Sequence, residues 1–295
     1  MSANHASLSS SIRQDPWWAR AIMILLAIGF LTWLVLIPVV FVFVSAWSNG
    51  ASSYVASLLE DEETRSSILL TLMVAPVAVV LNVLFGLAAA WAIARFRFRG
   101  RAIVIAMIDL PFAVSPVVAG LSLLLIFGQN GFLGPWLHER GWQVVFAFPG
   151  ILLATCFVTL PFVARELIPL MESIGDEEEL AAVSLGASPF QMFWRVTVPN
   201  IKWGILYGAI LCNARAMGEF GAVSVVSGRI PGETETMPLR VERLFQDYDS
   251  PGSFAVASVL TLLALVTLGI KIALERQTRA DLARHQRMAD QGESA

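Results

Sequence analysis

Six apolar stretches, at about 19–47, 66–94, 101–127, 145–170, 201–226 and 253–274, are separated along this chain by short polar connections. A helix rises about 1.5 Å per residue, so each stretch can cross a hydrocarbon layer of about 30 Å. The pattern predicts an all-α polytopic membrane protein with about six spans. The first stretch is too long for the apolar part of a secretory signal and reads as an uncleaved span. The leading residues 1–18 and the tail 275–295 are expected outside the layer, the tail as a helix extension or a disordered segment.

One connection is more than a link. Between the fourth and fifth stretches, residues 176–199 carry two short-helix signatures back to back. Asp176 can cap a first helix, with Glu179 at the third helical position as its reciprocal partner. Gly186 supplies a stop, because glycine takes the left-handed backbone region at little cost. Ser188 can cap a second helix, with Pro189 at its first position and Gln191 at its third. The expected unit is helix, glycine turn, helix. On residue types alone it is either a docking element or an amphipathic hairpin lying on lipid.

Composition narrows the class. The 295 residues are 56% hydrophobic and 15% charged, against roughly 25% charged in soluble domains. Cys156 and Cys212 both lie inside apolar stretches and read as small packing residues rather than a disulfide. His5, His138 and His285 have no metal-ligand spacing. No P-loop pattern is present, so ATP binding by that route is not expected of this chain. No Ser-His-Asp or Cys-His arrangement stands out in the sequence.

Charge sets an orientation. Arg13, Arg20, Arg95, Arg97, Arg99, Arg101, Arg165, Arg195, Lys202, Lys271 and the four arginines of the tail fall on one side. Arg65, Arg140, Arg229, Arg240 and Arg243 fall on the other, and Arg215 lies within a stretch. Cytoplasmic connections carry the excess of Lys and Arg, so both termini and the 176–199 connection are expected in the cytoplasm. The acidic run Glu60 to Glu63 on the other side reads as a solvated face.

Two stretches carry polar residues at membrane depth. Asp109, Pro111, Ser115 and Pro116 interrupt the third, where two prolines break the helical ladder. Non-helical backbone there requires burial in protein or a wet cavity. The segment is either a lining or gate of a pathway or a packing kink. Arg215 and Glu219 in the fifth stretch stand four apart and share a helix face. They are either an internal pair that locks helices together or part of a solute path.

Ala181-Ala182, then Gly186-Ala187, then Phe193 and the closing Val198-Pro199 resemble the EAA loop of ABC-importer permeases. In that pattern a Glu precedes the alanines; Leu180 holds its place here, and Glu179 stands one residue earlier. The resemblance implies a coupling helix docked in a groove of a cytoplasmic ATPase, with Glu179, Leu180, Ala181, Ala182, Gly186, Ala187 and Phe193 at the contact. Asp109–Gly120, Leu160–Leu167 and Asn213–Gly228 are similar to permeases of sulfate/thiosulfate importers, the last stretch in part also to molybdate-type permeases. The resemblance implies a type I ABC-importer transmembrane domain over 66–274 in a bacterial inner membrane. The implied partners are a related second permease, an ATPase dimer that uses the ATP, and a periplasmic solute-binding protein. No cofactor bound by this chain and no nucleic acid is implied. The alternatives are import of molybdate or tungstate, or a channel or secondary transporter, which would leave the coupling loop unexplained.

Overall fold

The computed structural model describes residues 17–293, with side chains described as far as residue 275. Among the described residues the chain is helical throughout, without strands. Arg13, most of the leading segment and the tail side chains fall outside the described residues.

The first span joins α1 (Trp17–Leu31) to α2 (Ile37–Ala46) through a π-helical turn at Thr32–Leu36. Pro38 is the second residue of α2, and its missing N–H opens the ladder at that place. A short α3 (Ala51–Leu59) leads to α4 (Glu62–Arg95), the long central helix. At 34 residues it is about 50 Å long, more than a bilayer core needs.

The third stretch is broken, as its prolines led one to expect. It is divided into α5 (Arg101–Ala113) and α6 (Pro116–Phe127), bent by 110°. Val114 and Ser115 are extended between them, because a residue before proline is driven out of the helical region. Pro116 therefore makes the break, whereas Pro111 is accommodated inside α5. After α7 (Gly134–His138) comes α8 (Phe148–Ile174), then the connector helices α9 (Glu177–Ser184) and α10 (Pro189–Met192). A second π-helical turn, Phe193–Thr197, runs into α11 (Val198–Met217). The fifth stretch is also divided, with α12 (Gly221–Val226) following a break at Gly218. A short helix α13 (Met237–Gln246) precedes α14 (Ser250–Glu293).

Four helical segments, Trp17–Ala46, Glu62–Arg95, Phe148–Ile174 and Ser250–Glu275, are long and apolar enough to cross a membrane, and the bent pair makes a fifth. α11, with Lys202, Asn213 and Arg215, is not among them. Arg165, counted above with the inner connections, lies inside α8.

Small residues let α4, α8 and α11 close on one another. A Cβ added at Gly86 of α4 would stand 2.8 Å from Val163 Cβ, and one at Gly208 of α11 would stand 3.2 Å from Val163 Cα. Leu87, Ala90, Val163, Leu167, Ile201 and Cys212 fill the core so formed. Within it Asn82 Nδ2 donates to Thr159 Oγ1 at 2.7 Å and to the Cys156 carbonyl at 3.2 Å. An unpaired amide there would be costly, so this bond fixes the register of α4 on α8. Cys156 and Cys212 are free thiols.

Candidate coupling and translocation site

The connector folds as two capped helices. α9 begins with Glu177, Glu178 and Glu179 in its first turn, the sign its N-terminal dipole favours. It ends in a Schellman arrangement: Ala187 N–H donates to the Ala182 carbonyl at 3.0 Å, and Gly186 N–H to Val183 at 2.9 Å. Gly186 has φ +90°, the left-handed conformation this stop requires. Ser188 and Gln191 form the expected capping box, with Gln191 N–H donating to Ser188 Oγ at 3.3 Å and Ser188 N–H to Gln191 Oε1 at 3.1 Å.

The first expected cap is corrected. Asp176 makes no side-chain cap, and Glu179 does not reach back to it. The Glu179 carboxylate, on a residue 8% exposed, turns inward instead. It accepts from Arg95 Nε at 2.8 Å and Nη2 at 3.1 Å, and from Thr197 Oγ1 at 2.8 Å. A bidentate guanidinium outcompetes a neutral backbone N–H for the same oxygens.

The other candidate contact residues divide by exposure. Leu180 is 59% exposed and Ala181 is exposed, whereas Ala182 and Ala187 are half-buried. Phe193 packs edge-on against Trp91 at 5.5 Å, so it holds the connector to α4. The exposed apolar edge is completed by residues the motif does not name: Leu185 at 90%, Phe190 at 73%, and Trp194. Alternation of apolar residues with the acidic first turn could have signalled them.

The structure brings the polar residues of the third and fifth stretches together with partners in two places. Arg165 Nε lies 2.6 Å from Asp109 Oδ1, and the guanidinium stands over the Phe112 ring at 4.8 Å. Arg215 Nη1 lies 2.7 Å from Glu219 Oε2; the Arg215 side chain is 35% exposed and that of Glu219 1%. Glu219 Oε1 also accepts from Ala222 N–H at 3.0 Å, across the break between α11 and α12. The two broken spans pack on each other. A Cβ at Gly120 of α6 would meet the Ala222 carbonyl at 2.7 Å, and one at Gly221 would meet Pro116 Cβ at 2.8 Å. Ser115 makes no side-chain cap at the start of α6, and Pro111 is buried in α5.

The acidic run Glu60 to Glu63 is not a simple solvated face. Asp61 and Glu63 bind Arg240 of α13, each at 2.5 Å, and Glu235 lies 3.5 Å from the same guanidinium. Arg240 itself is 5% exposed. Met237 N–H donates to Thr71 Oγ1 at 2.9 Å, so α13 is held on the N-terminal part of α4 at two points. Burial raises the Glu235 carboxyl above its usual value, against the lowering pull of Arg240 and Arg243. Burial pushes Asp61 the same way, yet bonds from Thr64 and Arg240 bring it below its usual value.

Comparison with known proteins bears on this geometry. Residues 82–280 match the model of the family described as binding-protein-dependent transport system inner membrane component. The sulfate transport system permease protein CysW of Synechocystis sp. is 49% identical over 259 residues, covering 88% of this chain and 94% of that protein. CysW of Escherichia coli (strain K12) is 51% identical over 253 residues, covering 85% and 87%. The sulfate transport system permease protein CysT of the same strain is 40% identical over 198 residues, covering 67% and 72%. Among solved structures, a bacterial ABC transporter involved in the import of the acidic polysaccharide alginate superposes with a TM-score of 0.71 at 19% identity, covering 89% of this chain and 96% of that one.

Proposed function

Since the chain belongs to the family of binding-protein-dependent transport system inner membrane components, we propose that it is the permease subunit of an ATP-driven importer carrying sulfate, or thiosulfate, into the cytoplasm. It is a multi-pass membrane protein and a transport subunit rather than an enzyme. The substrate assignment draws on relatives named for sulfate transport that are about half identical over most of this chain. The geometric observation that carries the ATP-driven reading is the connector, whose Leu180, Leu185, Phe190 and Trp194 form an exposed apolar edge beside a buried anchor. Such an edge is stable in water only when a partner covers it.

The partner is an ATPase that holds the ATP, and this chain binds no cofactor. A related second permease completes the membrane unit, as the similarity to both CysW and CysT proteins suggests. A solute-binding protein delivers the anion on the outer face, where α13 lies. The excess of Lys and Arg in the connector side puts the connector and both termini in the cytoplasm. In this scheme ATP binding draws the ATPase halves together, the docked connectors move with them, and the spans open outward. Hydrolysis resets the inward-facing state. The coupling requires one element biased from both ends, and α4 runs from the outer helix to the connector.

The two broken spans, α5 with α6 and α11 with α12, are the proposed lining of the path, with Asp109, Pro111, Ser115 and Pro116 on one side and Arg215 and Glu219 on the other. The half-exposed Arg215 keeps donors free of Glu219, while Glu219 cancels much of its charge. A divalent anion then meets a polar wall that passes it without trapping it. Reconstitution with the partner subunits, followed by uptake in competition among sulfate, thiosulfate and molybdate, tests the reading. Sulfate and thiosulfate should compete with labelled sulfate and molybdate should not; preferred uptake of molybdate would overturn the substrate assignment.

A further inference from the structure

The carboxylate of Glu179 is placed where a docking residue would not be. Leu180, one step along α9, faces out, whereas Glu179 faces into the joint between four segments. Arg95, the last residue of α4, grips it through Nε and Nη2 and with Nη1 donates to the Met171 carbonyl of α8 at 2.8 Å. Thr197, at the end of the π-helical turn, donates to Glu179 Oε1 at 2.8 Å. Trp91, one turn before Arg95, packs edge-on against Phe193 at the start of that turn, at 5.5 Å. The guanidinium therefore bonds at once to α8 and α9, and its bound carboxylate bonds to the entry of α11.

The geometry points to Glu179 as a positioning residue that transmits connector movement to α4 through Arg95, not as a contact of the ATPase. This rests on the docking reading given above. Two observations support it. The pair is bidentate, which fixes orientation as well as distance. It is also closed by a π-helical turn, an uncommon backbone form that lets one residue shift without unfolding the helix. A connector pushed by its partner then cannot slide over the end of α4; it carries α4 with it. α4 continues to the outer surface, where Thr64 and Thr71 bond α13.

The test uses the assembled transporter, with second permease, ATPase and binding protein, reconstituted in vesicles. Sulfate taken up per ATP hydrolysed is the readout, because it does not depend on how much complex assembles. Glu179→Gln keeps the shape and removes the charge. The ATPase should still co-purify, and uptake per ATP should fall about tenfold, an ordinary size for coupling between two sites. Thr197→Val removes only the donated hydroxyl and should lower the same ratio by a smaller factor; it remains readable if Glu179→Gln does not assemble. Leu180→Asp should behave differently, losing the ATPase itself. Unchanged uptake per ATP in Glu179→Gln and Thr197→Val would overturn the proposal, as would loss of ATPase binding in Glu179→Gln with a normal ratio for what remains. Retention of the ATPase by Leu180→Asp would instead overturn the docking reading.

Discussion

Replacing Arg240 by methionine should release the outer helix α13 from α4. The guanidinium is held by Asp61, Glu63 and Glu235 and donates to Thr64 Oγ1 at 3.2 Å. Removing one member of a buried charge cluster costs about 3–5 kcal/mol, most of it the charge left behind. The side chains of Asp61 and Glu63 are 33% and 41% exposed, so water takes over much of their charge. Glu235, with a side chain 1% exposed, cannot be rehydrated without opening the site. The lower end, about 3 kcal/mol, is therefore expected, or roughly a hundredfold in the population of the opened helix. The assay is the rate at which Leu239→Cys, a site 1% exposed, reacts with a thiol reagent in solubilised transporter. Cys156 and Cys212 are replaced by alanine in that background. When reclosing is fast, this rate follows the open population. Adding Glu235→Gln should recover most of the protection. A rate in Arg240→Met within about threefold of the parent would refute the reasoning, since that is less than 1 kcal/mol.

The same cluster gives opposite pH signs. The lowered Asp61 carboxyl contributes stability that is in place above its ordinary value of 3.8 and is lost as pH falls through its lowered value. The raised Glu235 carboxyl does the reverse: its folded form binds the proton more tightly, so stability is lost as pH rises from the ordinary value of 4.5 through the raised one. In Arg240→Met the second effect dominates, and acidification from neutral pH should slow labelling at position 239 by more than it slows labelling of a fully exposed cysteine, whose rate falls only with its thiolate fraction.

Other outcomes follow from the membrane-depth contacts. Arg215→Ala strands the Glu219 carboxylate and should lower the amount of assembled protein, with partial recovery in Arg215→Ala, Glu219→Ala; normal assembly with selective loss of uptake would give Arg215 a direct role on the anion. Gly120→Val places a side chain where the Ala222 carbonyl lies 2.7 Å from a Cβ, and should cost about 1–3 kcal/mol by separating α6 from α12, read as a lower melting temperature. For orientation, cysteines at Gly50 and Tyr248 should react with an impermeant reagent from outside and one at Ser184 should not; Tyr248 is 93% exposed, whereas the neighbouring acidic site Glu235 is buried.

What the sequence made legible was local. Gly186, Ser188, Pro189 and Gln191 specify a glycine stop and a capping box through neighbours within five residues, and both are found. The destination of Glu179 was not legible, because its partner Arg95 lies 84 positions away and a local cap on Asp176 competes for the same side chain on paper. The acidic run at 60–63 misled for the same reason: only folding brings Arg240 to it across 179 positions. The prolines of the third stretch announced a break, but neither its 110° angle nor the packing of α6 on α12 could be read from any local pattern. The apolar edge of the connector was visible only in part, since the family motif marks position 180, where Leu stands in place of Glu, but not Leu185, Phe190 or Trp194.

In the proposed mechanism this edge is where an ATPase drives a sulfate permease. Leu185 is its most exposed member at 90%, so Leu185→Asp adds a charge to the edge and removes little packing within the chain. The deciding measurement is ATP-driven sulfate uptake into vesicles holding the complete transporter, with the ATPase co-purified by this subunit quantified alongside. The account predicts normal insertion and normal pairing with the second permease, but loss of both the ATPase and the uptake. Full uptake with a full complement of ATPase in Leu185→Asp would contradict it.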